Sequence, residues 1–326
     1  MRTSSRHYEC IILFFVCMVL GCISVCAGRI WIPPIETAGA VYGVFNPDYF
    51  SNQYTDLILN LRLPRTVMVL VVGAALSGCG VTLQAVYRNP LVSPYILGIS
   101  SGSAFGAALA ILFTGDIFIT TICAFFGGLL VASITWGIDR FTTVIAGMAI
   151  GTLCGSLTAL IKWIADPFTV MPFITFWLLG SFSRVSLGEV GLVLPLFFVA
   201  IILLYLMRWQ LNILAYGEET ANMLGQDTRL LKTLFIITTT IIIAVSVALC
   251  GVIGWIGLVI PHICRMVTGN DHILLLPFSL VGGAIYLLLV DLAIRTIIPG
   301  EMPIGIVTGL IGTPFFVFVI WRARGI

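Results

Sequence analysis

Apolar stretches long enough to cross a bilayer recur from one end of this 326-residue chain to the other. A transmembrane helix needs about 20 consecutive, predominantly apolar residues. Candidate spans lie at 10–28, 66–86, 97–113, 117–137, 143–164, 190–207, 233–252, 254–267, 274–294 and 304–321. Inside hydrocarbon every backbone N–H and C=O must find its partner within the protein, so only helices and closed barrels span. Barrels need short strands that alternate polar and apolar side chains, and that pattern is not readable here. The sequence predicts an all-α, polytopic membrane protein with about ten transmembrane helices, in a single transmembrane domain over 1–326. Composition agrees: 60% of residues are hydrophobic and 9% charged, against about a quarter charged in soluble domains. The eighth span is short and glycine-rich and reads as tilted or partly buried. The piece 171–182 is too short to cross and reads as a half-helix at one surface. Met1 to His7 is basic and Cys10 to Ala27 apolar, like a secretory signal; with nine spans following, an uncleaved first span is the simpler reading.

With the N-terminus inside, ten of the 16 basic residues fall in cytoplasmic segments, among them Arg88, Arg140, Arg208, Arg229, Lys232 and Arg265. Basic residues favour that side, and most acids then fall outside. Both termini are expected in the cytoplasm. So is 208–232, the loop between the sixth and seventh spans. Its core, GEETANMLGQ (217–226), is the most polar stretch in an oily chain. Leu211 to Tyr216 can form one short helical turn and Glu218 to Leu224 another. Gly217 permits the break between them, and Gly225 serves as a left-handed stop. Glu218 and Glu219 occupy a first turn, where acids complement the helix dipole. Ala215, Ala221, Met223 and Leu224 would offer a small apolar knob. Two readings stay open at this level: a docking surface for a partner, or a solvated connector.

Little in the chain supports chemistry. A phosphate-cradling loop needs G-x-x-x-x-G-K-[ST], and neither lysine, Lys162 nor Lys232, follows a glycine. His7, His262 and His272 lack metal-ligand spacing, and the nine cysteines fall mostly inside apolar runs without a CxxC pair, as small buried hydrophobes do. No enzyme activity, bound metal or resident cofactor is expected. Ionisable groups inside a membrane would mark an ion path. The clear candidate is Asp291, with Arg295 one turn on, a spacing that suits an intrahelical ion pair better than a relay. Energy for transport would then come from elsewhere. Gly147, Gly151 and Gly155 repeat at spacing four, as do Gly305 and Gly309; such small faces permit close helix packing, either within the chain or at a subunit interface or pathway wall.

Four segments carry a family resemblance: LRLPRTVMVLVVGAALSGCGVTLQAVYRNPLVSPYILG (61–98), GEETANMLGQD (217–227), GVIGWIGLVIPHICR (251–265) and MPIGIVTGLIGTPFFVFVI (302–320). In this order they resemble the FecCD family, permease subunits of ATP-binding-cassette importers for ferric siderophores, haem and cobalamin. The likeness covers nearly the whole chain after the first span. It implies an inverted-repeat fold and a homodimer with the translocation path between subunits. It also implies two separate ATPase subunits, which use ATP and Mg, and a periplasmic or lipid-anchored substrate-binding protein.

The same resemblance assigns roles. Gly217, Glu218, Glu219, Ala221, Leu224 and Gly225 become ATPase-coupling residues. Arg62, Arg65 and Arg295 become docking residues for carboxylates of the binding protein, a pairing that bidentate guanidinium bonding suits. Asn89 and Leu91 match an inner gate loop, and 139–143 a second gate element. Asp139-Arg140-Phe141 departs from the small polar residues of some members; Ser93, Tyr95 and Trp255 also depart from the family pattern. The implied localisation is a prokaryotic cytoplasmic membrane, with lipid but no nucleic acid as a partner. Oxyanion import (molybdate or tungstate) is the alternative within the family. A standalone channel or ion-driven carrier is the alternative outside it.

Overall fold

The structure is a computed structural model that describes residues 2–43, 54–135, 140–297 and 300–324. These residues form helices and connecting turns, with no strand among them. Helix α1 (Arg2–Cys26) leads to a short helix α2 (Pro34–Gly43). A single turn α3 (Thr55–Leu57) and a π-helical stretch (Ile58–Arg62) run without a break into α4 (Leu63–Val86). Then follow α5 (Ile99–Phe113), α6 (Ile117–Thr135), α7 (Arg140–Ile164), the short α8 (Val170–Leu178) and α9 (Leu187–Leu206). Two short helices, α10 (Arg208–Tyr216) and α11 (Glu218–Met223), precede α12 (Thr228–Cys250), α13 (Ile256–Thr268), α14 (His272–Ile297) and α15 (Ile304–Arg324).

Seven of these helical segments are long and apolar enough to cross a membrane, and α5, α13 and α15 are shorter apolar helices. Together they coincide with the ten expected spans. The second begins earlier than its apolar run suggests, at Thr55 rather than 66, because the π-helical stretch carries polar Asn60 and Arg62 into the helix. The expected half-helix is α8, and α2 has no counterpart among the expected spans.

Burial divides the bundle into centre and periphery. In the spans containing α4, α12 and α14, 78, 67 and 61% of the most apolar window is covered by protein; in those of α1, α6, α7 and α9 the share is 22–28%. Helices apolar all round and covered on one side present the rest to lipid. α4 packs along α14 and α13, α12 packs against α6 and α4, and α5 packs against α6 and α7. Without a hydrophobic drive between helices in lipid, close approach needs small residues. A Cβ on Gly80 would stand 1.9 Å from the Gly257 carbonyl oxygen, and one on Gly73 2.4 Å from that of Gly283.

Helix ends follow local chemistry. Ser186 and Glu189 form a reciprocal capping box at the start of α9. Asp227 caps α12 by accepting from the Leu230 N–H at 3.0 Å. Asp166 receives the Phe168 and Thr169 N–H groups and the Thr169 hydroxyl before α8, bonds that hold its carboxyl below the usual range. Residues 251–255 are non-helical and separate α12 from α13.

Candidate functional site

The polar segment 217–226 folds as its glycines predict. Gly217 (φ 120°) breaks the chain between α10 and α11, and Gly225 (φ 73°) turns it toward α12. α10 is held from below: Leu211, Ile213 and Leu214 are buried, and the helix packs on α4 and α14. On α11 the exposed surface is Glu218, Glu219 and Thr220, with Met223 (85% exposed) and Leu224 beyond. Tyr216 and Ala215 are also exposed. Ala221 corrects the expected knob. It is fully buried, because it faces back into the protein, where it cannot touch a partner. Glu218 pairs with Lys232 on the first turns of α12. The segment is thus a folded two-helix unit.

α4 spans about 36 Å at 1.5 Å per residue, and its C-terminal end carries the predicted gate loop. Arg88, with φ 47°, reverses the chain there. Its guanidinium lies against Gly217, where a Cβ would stand 3.0 Å from Nη1. Asn89 caps the turn by accepting the Leu91 N–H at 3.0 Å, and Leu91 is exposed. Burial pushes the neighbouring Tyr87 phenol up to about 12, so it stays neutral. Of the second gate element, Asp139 lies outside the described residues.

Leu91 borders an open chamber of about 670 Å³ lined also by Tyr95, Leu178, Trp255, Gly305 and Phe316. Its lining contains no Asp, Glu, Lys, Arg or His. Trp255 occupies the left-handed region at φ 72°, an outlier for a bulky residue. Its ring meets Phe316 at 6.1 Å between centroids and lies against Gly312 of α15.

At the opposite end of α4 the arginines are arranged otherwise than the sequence suggests. Arg62 is 7% exposed; Nη1 donates to the Val25 and Cys26 carbonyls at 3.1 and 2.6 Å, and Nη2 to that of Ile30 at 2.5 Å. Its expected docking role is corrected: the π-helical turn points it inward, where it ties α4 to the end of α1. Asp291 is fully buried between two guanidinium groups. Arg65 Nε donates to Oδ1 at 2.8 Å, and Arg295 Nε stands 2.8 Å from Oδ2. The expected pair with Arg295 is present; the link to Arg65, 226 residues away, carried no sequence signal. Arg65 also reaches Glu301 at 3.3 Å. Arg65, Arg295 and Glu301 border an open cavity of about 300 Å³ together with Arg29 and Arg62.

The glycine repeat divides. A Cβ on Gly147 would meet the Ile96 carbonyl oxygen at 2.9 Å, one on Gly151 would only touch Gly98 at 3.4 Å, and one on Gly155 meets nothing within 4 Å. Gly305 packs against the Leu179 carbonyl, whereas Gly309 is open. Among the described residues no three His, Cys, Asp or Glu side chains gather to hold a metal ion.

A model of the FecCD transport family matches residues 16–322. The chain belongs to the FecCD transport family. It is 37% identical over 276 residues to the "Probable iron chelatin transport system permease protein" of Helicobacter pylori strain 26695, covering 83% of this chain and 84% of that one. It is 38% identical over 276 residues to the molybdate import system permease protein MolB of Haemophilus influenzae, covering 82% of each. Among solved structures, "an inward-facing conformation of a putative metal-chelate type ABC transporter" superposes with a TM-score of 0.85 at 32% identity, covering 97% of this chain and 99% of that one. The chain is a multi-span membrane permease of the FecCD type of ABC importer.

Proposed function

We propose that this permease imports a bulky metal chelate (ferric siderophore, haem or cobalamin), as a homodimer with the path between its two subunits. The observation that carries the choice of cargo is the chamber of about 670 Å³ without a charged side chain. A small oxyanion entering it would lose its water without gaining a cation or a set of aimed donors, which is costly. A chelate buries its metal's charge inside an organic shell and presents a largely apolar surface, so a smooth apolar wall suffices. The oxyanion reading stands second, supported by the likeness to MolB.

Each permease subunit carries one copy of the unit formed by α10 and α11. It is proposed to dock in one of two ATPase subunits, which bind ATP and Mg; Glu218, Glu219, Met223 and Leu224 make contact, and Gly217 and Gly225 shape the unit. Asn89 and Leu91 form the inner gate, pressed toward the coupling unit by the contact of Arg88 with Gly217. The termini share the cytoplasmic side with 208–232. At the other end, a substrate-binding protein is proposed to place carboxylates over the cavity bordered by Arg65, Arg295 and Arg29. Motor closure then shifts the subunits between inward- and outward-open states.

The test is reconstitution in proteoliposomes with the partner ATPase and binding protein. Haem, cyanocobalamin, a ferric hydroxamate and molybdate are offered in turn. Import of one of the first three, dependent on Mg–ATP, is expected. Import of molybdate alone would move the cargo to the oxyanion class, and import without the ATPase would overturn the reading.

A further inference from the structure

Asn212 has no part in the scheme above, yet both ends of its amide are engaged across the turn of a neighbouring hairpin. It sits on α10 between buried Leu211 and Ile213. Its Nδ2 donates to Asp271 Oδ1 at 2.8 Å. Its Oδ1 accepts from the His272 backbone N–H at 2.8 Å and lies 2.8 Å from His272 Nδ1. Since the amide oxygen can only accept, the ring nitrogen facing it carries the proton.

Asp271 ends the turn between α13 and α14, and His272 opens α14. The Asp271 carbonyl accepts from the Leu274 and Leu275 N–H groups, and its carboxylate accepts from the Ile273 N–H at 3.0 Å. One side chain on α10 therefore grips the corner of a hairpin. One arm, α13, starts directly after Trp255 in the chamber wall. The other, α14, lies backbone to backbone with α4 at Gly283 and Gly73. α10 also packs on α4 and α14, and its buried Leu211 and Leu214 are apolar, so their contacts carry no directional preference. Hydrogen bonds are directional and fix register.

The geometry points to Asn212 as a positioning residue that transmits displacement of the coupling unit to the α13–α14 hairpin, and through Trp255 to the chamber wall. The inference rests on the docking of α10 and α11 in an ATPase. A variant in which this link is cut keeps its motor and its fold but hydrolyses ATP with less transport.

The experiment uses the complete importer in proteoliposomes, reading cargo imported per ATP hydrolysed, with haem, cyanocobalamin or a ferric hydroxamate as probe according to which the binding protein retains. Asn212→Asp removes the donor and sets two carboxylates face to face; the ratio should fall at least five-fold while ATPase co-purification stays as in the wild type. Asp271→Asn keeps an acceptor for Nδ2 and should stay within two-fold of wild type. The double variant N212D/D271N restores a donor–acceptor pair with the roles exchanged, and the ratio should recover to at least half. An unchanged ratio in N212D overturns the inference, as does a double variant whose ratio is no better than that of N212D. Loss of N212D from the membrane with recovery of both yield and ratio in the double variant still supports it; recovery of yield alone overturns it. A wild-type chain that neither retains an ATPase nor needs one sinks the underlying reading instead.

Discussion

At the scale of single residues, the outer end of α4 shows how burial can reverse a role that charge suggests. Three arginines near one surface read as a docking face, yet Arg62 is tied to backbone carbonyls, while Arg65 and Arg295 hold Asp291 and still border the outer cavity. Removing one partner from a buried ion pair costs about 3–5 kcal/mol, because the remaining charges stay buried and uncompensated. Asp291→Asn is therefore expected to lower the thermal midpoint of the detergent-solubilised protein markedly. Glu301→Gln, whose side chain is 56% exposed, should cost at most about 1 kcal/mol. Equal effects in a melting experiment would refute the buried-pair account. Asp291 and Arg295 were legible in the sequence because i,i+4 neighbours share a helix face. The partner Arg65 was not, since nothing local records which of ten helices will lie alongside. Ala221 was misread for a related reason: a six-residue helix shows too little periodicity to reveal its inner face.

At the scale of elements, ten apolar helices were readable because the hydrocarbon thickness imposes their length, and Gly217 and Gly225 announced the division of the coupling segment. The pairing of helices was less readable. The repeat at Gly147, Gly151 and Gly155 drew the eye, but tighter crossings lie at Gly80 on Gly257, Gly106 on Cys123 and Gly73 on Gly283. Gly80→Ala forces α4 and α13 apart and should cost about 1–3 kcal/mol, seen as a fall in folded yield and midpoint. Gly155→Ala, with open space before it, should change the midpoint by less than about 0.5 kcal/mol equivalent. On α11, a Glu218→Lys, Leu224→Ala double variant should weaken ATPase retention about tenfold or more, as loss of a central contact worth about 2 kcal/mol would. Unaltered pull-down of the ATPase would show that the segment does not seat in it.

At the scale of the whole molecule, a neutral chamber and a preformed coupling unit sit at one side of a bundle whose described spans hold no relay of carboxylates. Import is therefore expected to persist when proton and sodium gradients are collapsed, and to stop when Mg–ATP is withheld from the face bearing α10 and α11. Uptake abolished by an ionophore at constant ATP would contradict this. The bridge between Arg65 and Asp291 also bears on how the bundle is made. Helices enter a bilayer in order of synthesis, and Arg65 is made 226 residues before its carboxylate. A lone charge costs about 3 kcal/mol at the centre of a membrane helix and less near its end, where long side chains reach the interface. Until α14 arrives, Arg65 has no Asp291 to close on, and that arrival joins the early and late halves. A nascent chain halted before residue 291 should expose α4 to membrane proteases, while one released just after it should not.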